Sequence, residues 1–437
     1  MDYRNLIFRV EAKIQLKNGD WLPEIDFDNA STTPVFTSVM DKINDFMHIY
    51  GSVDGGQSQR ARNTMHLFEE ARTIVLNFVK GDKNKDIVIF LKNTTEAINK
   101  LSYRLLEHGR KDVVLTTEME HYSNNLPWRG KYTIDYIMVD NQGRLSLEDL
   151  EAKLSKYNGA VKLVTVCGVS NITGYINPIH RIAEIAHKYK AQIHVDGAQY
   201  IPHLPVDMKP PDSPQHIDYF TFSAHKMYAP FGSGALIGPK ALFEKGIPEY
   251  AGDRTAKYIS FDSVIWELPP LKEEAGTPNV IGVIALTEAI KTLTELGMEN
   301  VQKYEGELLQ YAIQKLRQIQ DLHLYIDSST SSIGIIPFNL KGVPHDILSR
   351  ILANEAGIVT RNGEIDATIY VNKLLTTYPD ATQNYIGGIT PSSPGLVRIS
   401  FALYNTKDEI DILVDLLHKI SKDKKLYVEK YKTSSTV

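Results

Sequence analysis

The 437-residue chain contains a single cysteine, Cys167, and no long run of apolar residues. One cysteine excludes an internal disulfide framework and a metal site built from several thiolates. No apolar stretch approaches the roughly 20 residues that span a bilayer, and no signal-peptide core follows the N-terminal residues. The sequence therefore predicts a cytoplasmic protein with no membrane partner.

Neither sign of charge dominates, because 48 basic and 53 acidic residues give a formal net charge of −5. Nucleic-acid-binding domains carry a basic surplus, so no nucleic-acid partner is predicted. No G-x-G-x-x-G fingerprint follows a predicted strand, and no G-x-x-x-x-G-K-[ST] loop occurs. Nicotinamide and nucleoside-triphosphate cofactors therefore have little support, and no metal site is predicted.

Between about residues 65 and 240, short β-rich apolar runs alternate with amphipathic helical stretches. This alternation predicts right-handed βαβ units and a mostly parallel sheet with helices on both faces, which is an α/β fold. The predicted strands are Asp86–Leu91, Val113–Thr117, Ile134–Val139, Val161–Cys167, Gln192–Val195, Tyr219–Phe222 and Ala235–Ile237, and the helices between them include Thr64–Val79, Leu147–Tyr157 and Pro178–Tyr189.

After about residue 280 the pattern becomes that of a smaller α+β domain. A long helical stretch, Val280–Gln320, is expected to break near Gly297. The later predicted elements are strands at Leu322–Ile326, Ser332–Phe338, Ile358–Arg361 and Leu396–Phe401, helices at Pro344–Ala356 and from Lys407, and a surface loop at Leu374–Pro394. The predicted parts are an N-terminal arm (1–26) associated with the small domain, a large domain (27–279) and a small C-terminal domain (280–437).

A lysine directly follows one buried-looking strand, in the segment Asp218-Tyr-Phe-Thr-Phe-Ser223-Ala-His225-Lys226, before a glycine-rich turn. Desolvation at such a place lowers the pKa of the lysine, which a Schiff-base lysine requires. Ser223 and His225 can donate hydrogen bonds to a phosphate beside it. Taken alone, the segment is equally consistent with an exposed loop lysine.

Two further strand ends carry residues suited to a phosphorylated cofactor that accepts electrons. Asp196 lies at the carboxyl end of a predicted parallel strand, where open α/β sheets bind ligands. Its carboxylate can pair with a protonated ring nitrogen, although it could equally cap a helix. Thr94 and Thr95 begin a predicted helix whose hydroxyls and free N–H groups suit a phosphate, or form a plain cap.

Together, these segments resemble the class V aminotransferase family of fold type I pyridoxal-phosphate (PLP) enzymes. The similarity is greatest to the cysteine desulfurase and selenocysteine lyase branch, and it covers roughly residues 25 to 420. It implies a large PLP-binding domain and a smaller α+β domain. Further matching motifs are FDNASTTP (Phe27–Pro34), TEMEHYSN (Thr117–Asn124), VSNITG (Val169–Gly174), EAGTPN (Glu274–Asn279) and VRIS (Val397–Ser400).

The resemblance implies a role for each matching residue of the cofactor site. Lys226 would hold PLP as a Schiff base, Asp196 would bind the ring N–H, and His121 would stack on the ring face. Thr277 would reach the phosphate of a neighbouring subunit, which implies a homodimer with its sites at the interface. The other implied cofactor contacts are Gln199 at the phenolic oxygen and Thr94, Thr95, Ser223 and His225 around the phosphate.

The resemblance also implies that Asn171 and Arg398 bind the substrate, with Arg398 holding the α-carboxylate in a bidentate pair. Asn171 could instead be a turn residue, and Arg398 a structural ion-pair partner. Desulfurases of this family carry a nucleophilic cysteine on a mobile loop, shortly after an arginine and a glycine. In the matching stretch here, which includes Arg361, the cysteine position is occupied by Asp366.

A carboxylate cannot accept sulfur to form a persulfide, so the ordinary desulfurase mechanism is not expected. Cys167 is expected to be a small buried residue rather than a substitute nucleophile, because free cysteines are commonly buried. Asp366 and its neighbour Glu364 either recognise a cationic group of the substrate or belong to an exposed polar loop.

The implied activity is that of a PLP-dependent enzyme that acts on an amino acid through an external aldimine. β-Elimination needs only a leaving group at Cβ, so we favour a lyase that cleaves C–S bonds without persulfide chemistry. The alternatives are an aminotransferase producing an α-keto acid, a cysteine desulfurase using an unconventional route, a noncatalytic scaffold, and an unrelated α/β enzyme. The presence of both Lys226 and Asp196 argues against the scaffold, because a noncatalytic protein would not require the lysine and its electronic partner together.

Overall fold

The computed structural model describes residues 3–16, 19–106, 112–376 and 394–432. The strands are β1 (Lys13–Gln15), β2 (Trp21–Pro23), β3 (Ile25–Asp26), β4 (Asp86–Leu91), β5 (Val113–Thr117), β6 (Thr133–Ile137), β7 (Val161–Cys167), β8 (Gln192–Asp196), β9 (Tyr219–Ser223), β10 (Gly234–Pro239), β11 (Ala256–Ile259), β12 (Val264–Trp266), β13 (Leu322–Leu324), β14 (Ile335–Leu340), β15 (Ile358–Val359), β16 (Arg361–Gly363) and β17 (Leu396–Ser400). The α-helices are α1 (Thr37–Ile49), α2 (Gln59–Phe78), α3 (Thr94–Leu106), α4 (Leu147–Lys156), α5 (Ile179–Lys188), α6 (Lys240–Glu244), α7 (Val280–Leu296), α8 (Met298–Leu316), α9 (His345–Ala356), α10 (Thr368–Leu374), α11 (Lys407–Lys422) and α12 (Lys424–Lys432).

Seven strands form the larger sheet, in the order β4–β10–β9–β8–β7–β5–β6. Strands β5 to β9 are mutually parallel, and β10 runs antiparallel to both β4 and β9. Every residue of β7 and β9 is buried, as expected for strands covered by helices on both faces. The predicted α/β fold with a mostly parallel sheet is therefore confirmed.

The direction of these strands brings several polar residues to one edge of the sheet. Strands β5, β7, β8 and β9 are parallel and end at Thr117, Cys167, Asp196 and Ser223. Strand β4 points the same way, because two antiparallel pairings through β10 separate it from β9. This carboxyl edge is where an open α/β sheet binds its ligands.

The predicted strands of the large sheet are confirmed, with ends that differ by at most two residues. Helix α2 begins five residues earlier than predicted, because the Ser58 side chain caps it by accepting the Ala61 N–H at 3.1 Å. Helix α1 and the hairpins β1–β2 and β11–β12 were not predicted. The second hairpin is largely exposed, with Tyr258, Ile259 and Ile265 facing solvent.

A four-stranded antiparallel sheet, β13–β14–β17–β16, forms the centre of a second core. Helices α8, α9 and α11 contribute buried apolar side chains to this core. The predicted break in the long helical stretch is confirmed, because Gly297 adopts a φ of +79° between α7 and α8. Helix α11 begins at Lys407, as predicted, after a capping box formed by Thr406 and Glu409.

The N-terminal region and the two cores are joined by specific contacts. Strand β3 pairs in parallel with β15, while α7 packs against α1 and α2 beside the large sheet.

The predicted domain boundaries at residues 26 and 279 stay predictions. Most of the predicted loop Leu374–Pro394 lies outside the described residues, and its first residue instead ends helix α10.

Candidate active site

A cavity of about 260 Å³ lies at the carboxyl edge of the large sheet, where the small sheet faces it. All of the predicted site residues except Thr277 line this cavity. Thr277 is exposed and lies outside the wall, so its contact with a neighbouring subunit stays a prediction. The residues brought together are Thr94, Thr95, His121, Asn171, Asp196, Gln199, Ser223, His225, Lys226, Arg361, Asp366 and Arg398.

Lys226 lies in a short 3-10 turn that directly follows β9. Burial lowers the pKa of its amine to about 8, and the Asp196 carboxylate opposes part of this shift. Among the described residues, Nζ has no hydrogen-bond or ion-pair partner. A substantial fraction of the amine is therefore neutral and available as a nucleophile at mildly alkaline pH.

Asp196 ends β8, and its side chain is buried beside Lys226. Its Oδ1 accepts the backbone N–H of Ala198 at 2.9 Å. Burial raises the pKa of the carboxyl group, while the Ala198 N–H and the Lys226 charge lower it. A carboxylate in this position can accept a hydrogen bond from a protonated ring nitrogen.

His121 lies in the loop after β5, where its ring is held by Ser123. Nδ1 accepts the Ser123 backbone N–H at 3.1 Å, so the proton of the neutral imidazole is on Nε2. Burial, followed by the charge of Lys226, lowers the pKa of His121 to about 4. The ring is therefore neutral, and Nε2 lies 3.6 Å from Oδ2 of Asp366.

Hydroxyl groups gather at the N-terminus of α3. The Thr94 backbone N–H donates to Ser223 Oγ at 2.8 Å, and Thr95 Oγ1 lies 2.7 Å from Ser123 Oγ. Gly234 is required beside them, because a Cβ there would lie 2.6 Å from the Phe222 carbonyl oxygen. These hydroxyls, together with the positive end of the helix dipole, suit a phosphate group.

Two polar groups complete the arrangement around Lys226. Burial lowers the pKa of His225 to about 4, with a further contribution from Lys226, so this imidazole is neutral. Gln199 donates from Nε2 to the Ala30 carbonyl at 2.6 Å, but its buried Oε1 has no partner among the described residues. An unpartnered buried acceptor is costly, which favours a bound molecule with a polar ring substituent.

The donor set fits PLP. A lysine amine with a lowered pKa, a buried carboxylate and a cluster of phosphate donors match the aldehyde, the ring nitrogen and the phosphate of this cofactor. The unpartnered Oε1 of Gln199 lies in the same wall and could accept a hydrogen bond from a phenolic O–H.

Arg398, on β17, is 1% exposed and is held by residues distant from it in the chain. Nη2 forms an ion pair with Asp28 at 2.7 Å, while Nη1 donates to the Asn171 carbonyl at 2.9 Å. Burial lowers the pKa of the guanidinium, and Asp28 opposes that shift. Nε has no partner among the described residues, so the Nε–H of Arg398 can donate to a substrate carboxylate while the ion pair with Asp28 is kept.

The loop that follows β16 is attached to the large domain by its backbone. Asn171 Nδ2 donates to the Ile365 carbonyl at 3.0 Å, and the Tyr122 N–H donates to the Asp366 carbonyl at 2.8 Å. Glu364 accepts a hydrogen bond from Thr368 at 2.8 Å and does not line the cavity. Of the two loop carboxylates considered for substrate recognition, the cavity therefore includes only that of Asp366.

Cys167 ends β7 in the cavity wall, which its interpretation as a buried residue did not predict. Burial, followed by the nearby Glu120, raises the pKa of its thiol well above the ordinary value. Such a thiol is a poor nucleophile, because the thiolate is the reactive form. The expectation that Cys167 does not replace the loop cysteine is therefore consistent with its surroundings.

Several residues at or beside the cavity wall were not predicted from the sequence. Ser31 lines the cavity, and Asp28 lies beside it. Both contact Arg398, and both belong to the Phe27–Pro34 motif, whose similarity to the family was the available signal. Ser123 was likewise inside a matching motif without an assigned role.

In the described ranges, no helix is long and apolar enough to cross a bilayer, and no group of three or more potential ligands could hold a metal ion.

Comparison with known proteins agrees with this geometry. Residues 25–413 match the family model described as aminotransferase class-V. The chain is 34% identical to a cysteine desulfurase of Haloferax volcanii, over 92% of this chain and 90% of that protein. It is 33% identical to a cysteine desulfurase of Dickeya dadantii, over 93% of each chain.

Solved structures show the same similarity. The apo cysteine desulfurase of Thermococcus onnurineus superposes with a TM-score of 0.81 at 27% identity, covering 92% of this chain and 95% of that one. The cysteine desulfurase CsdA of Escherichia coli gives a TM-score of 0.77 at 26% identity, with the same coverage. The chain therefore belongs to the class V aminotransferase family and is a PLP-dependent enzyme of the cysteine desulfurase-like type.

Proposed function

We propose that this enzyme is a lyase that cleaves a C–S bond of an amino acid by β-elimination, without a protein persulfide. The observation that carries this proposal is the identity of the cavity-facing loop residue. The family resemblance implies that Asp366 takes the position at which desulfurases carry their nucleophilic cysteine, and Asp366 lines the cavity beside His121. The only cysteine in the sequence, Cys167, has a buried thiol with a raised pKa.

The residues of the cavity can perform each proton transfer that elimination requires. PLP, when bound, supplies an electron sink that stabilises negative charge at the substrate Cα. Lys226 would hold the cofactor covalently and then, once displaced by the substrate amine, remove the Cα proton. Asp196 would keep the ring nitrogen protonated, and Arg398 would orient the substrate carboxylate through Nε.

Lys226 is suited to assist the leaving group. When the Cβ–S bond breaks, its electron pair leaves with sulfur, and the proton that the Lys226 amine would have taken from Cα can pass to that sulfur to form the thiol. His121 would remain neutral through this step, because burial lowers its pKa to about 4. The remaining product hydrolyses to an α-keto acid and ammonia.

Product analysis tests this proposal. With PLP-loaded enzyme and a thioether amino acid, we expect thiol, α-keto acid and ammonia in equal amounts. After incubation with cysteine, cyanolysis should detect no sulfane sulfur on the protein. Cys167→Ala should give the same products as the wild type. Transfer of the amino group to an α-keto acid acceptor, or protein-bound sulfane sulfur, would contradict the proposal.

Asp196→Asn should reduce kcat by about ten- to hundredfold. An amide cannot provide the charge-assisted hydrogen bond that keeps the cofactor ring protonated, so the ring becomes a weaker electron sink. Steady-state kinetics and the visible absorption spectrum of the loaded enzyme measure this effect. Asp207→Asn is the matched control, because Asp207 pairs with Lys209 outside the cavity. An Asp196→Asn enzyme with wild-type kcat and spectrum would remove Asp196 from the mechanism.

We also propose that the enzyme is a cytoplasmic homodimer in which Thr277 contributes to the phosphate site of the neighbouring subunit. Thr277 is exposed and does not reach the cavity of its own chain, which supports this arrangement. The exposed apolar residues of the β11–β12 hairpin give further support, since grouped apolar side chains commonly mark an interface.

A further inference from the structure

Two charged side chains in the cavity wall have no assigned task in binding the cofactor or the α-carboxylate. Asp366 and Arg361 both line the cavity, and both belong to the small-domain segment that follows β15. They carry opposite charges, and no ion pair joins them to each other. A charged pair of this kind at a substrate cavity can select the part of the substrate that lies beyond the reacting atoms.

The Asp366 carboxylate is held in place while remaining open to the cavity. Its side chain is 51% exposed, whereas its backbone carbonyl accepts the Tyr122 N–H at 2.8 Å. Ile365 and Asp366 adopt φ values of +49° and +54°, which a β-branched residue such as isoleucine rarely adopts. Such backbone persists when surrounding contacts impose it, and here the Asn171 amide holds the Ile365 carbonyl.

Within the described ranges, the Asp366 carboxylate forms no ion pair with a lysine or arginine, although the charges of Lys226 and Arg398 act on it from a greater distance. Its nearest ionisable neighbour is His121, at 3.6 Å, and that imidazole is neutral because burial and Lys226 lower its pKa to about 4. No lysine or arginine of the described chain lies within ion-pair distance of Asp366. An ammonium group on a bound molecule would supply the missing positive charge.

Arg361 supplies a positive charge near the same place. It pairs directly with Arg398 across β16 and β17, so the two side chains project from the same face of the small sheet. Arg398 is already paired with Asp28, whereas Arg361 has no ion-pair partner among the described residues. A second carboxylate would neutralise Arg361 and relieve the repulsion between the two guanidinium groups.

We propose that Asp366 and Arg361 bind the distal end of the substrate, with Asp366 on its ammonium group and Arg361 on its carboxylate. A group that carries both charges on adjacent positions is itself an amino acid. The substrate class would then be two amino acids bridged by sulfur, as a thioether or a disulfide. The C–S cleavage of this substrate rests on the proposed function, whereas the recognition of two amino-acid ends rests on the cavity charges.

Binding of three sulfur-free ligands tests the recognition independently of turnover. 2,6-Diaminopimelate is the carbon analogue of lanthionine and carries both distal charges. 2-Aminopimelate lacks the distal ammonium, and lysine lacks the distal carboxylate. With PLP-loaded enzyme, calorimetric titration should give a Kd for diaminopimelate at least about tenfold lower than for the other two. Equal Kd values for the three ligands would overturn the inference.

Two charge-removing variants should then show opposite patterns. Asp366→Asn should weaken diaminopimelate and lysine by about tenfold while sparing 2-aminopimelate, and Arg361→Gln should weaken diaminopimelate and 2-aminopimelate while sparing lysine. Misfolding cannot produce opposite ligand preferences in the two variants. Glu364→Gln is the matched control, because Glu364 is adjacent in sequence but outside the cavity, and it should alter none of the three. Uniform weakening of all ligands by Asp366→Asn would contradict the proposed contact.

Substrate turnover separates this inference from the proposed function. Cleavage of lanthionine at a kcat/KM at least about tenfold above that of S-methylcysteine supports both. Equal kcat/KM values would overturn the recognition while leaving the lyase activity in place. The predicted ligand pattern without any release of thiol from lanthionine would refute the lyase activity while supporting the recognition.

Discussion

Replacing Lys226 with alanine is expected to lower kcat by at least about a thousandfold and to abolish covalent attachment of the cofactor. Lys226 lines the cavity, and burial lowers the pKa of its amine to about 8, so the amine is partly neutral. The variant loses both the nucleophile that holds the cofactor and the base proposed to remove the Cα proton. Borohydride reduction followed by peptide mass analysis should place a pyridoxyl group on the Lys226 peptide of the wild type and none in the variant.

Lys188→Ala provides a matched lysine control. Lys188 is exposed, pairs with Glu151 at 2.6 Å and does not line the cavity, so its removal should change neither kcat nor cofactor attachment. A Lys226→Ala enzyme that carries the pyridoxyl group on another lysine would contradict the assignment of Lys226 as the anchor. Loss of attachment with unchanged turnover would retain Lys226 as the anchor and exclude it as the base.

Glu274→Gln is expected to lower the free energy of unfolding by about 3–5 kcal/mol. Glu274 accepts two hydrogen bonds from the Arg72 guanidinium, at 2.7 and 2.8 Å, and a third from the Phe90 backbone N–H at 2.7 Å. Both side chains are buried, so a neutral amide leaves the Arg72 charge with only the half-exposed Glu69 as an anionic partner. Urea denaturation followed by circular dichroism measures the change.

Arg72 has a second ion-pair partner, Glu69, which provides a control for the effect of burial. Glu69 also pairs with Arg72, at 3.0 Å, but its side chain is 50% exposed. Glu69→Gln should therefore cost only about 0–1 kcal/mol, as surface ion pairs do. Similar losses in the two variants would show that burial does not strengthen the Glu274 contact. Since Glu274 lies three residues before Thr277, weaker PLP retention by the Glu274→Gln variant would additionally link this ion pair to the proposed position of Thr277.

Much of the large sheet could be predicted because its strands are short, apolar and separated by amphipathic helices. Strand β7, for example, is buried along its whole length, and its predicted ends match the structure. Lys226 and Asp196 could be identified by the same logic, since each directly ends or follows such a strand. Helix α1 and the β11–β12 hairpin were missed, because exposed apolar residues give no clear alternation between buried and solvent-facing positions.

The contacts of Arg398 illustrate what local patterns could not provide. Its guanidinium meets Asp28, which is 370 residues away in the chain, and its strand register places it opposite Arg361. Neither partner can be deduced from spacing, because each depends on how separately formed elements pack. Glu364 and Asp366 were equivalent candidates in the sequence, yet the conformation of the loop directs one toward Thr368 and places the other in the cavity wall.

The sequence by itself indicated the α/β fold, because the alternation of strands and helices is a property of neighbouring positions in the chain. The resemblance of its motifs to the class V aminotransferase family implied the cofactor and the absence of the loop cysteine. Only the tertiary structure decided which side chains share the cavity: Asp366 and Arg361 line it, while Glu364 and Thr277 do not. That outcome depends on strand register and on the two positive-φ residues of the loop, because small changes in either would turn the same side chains away from Lys226.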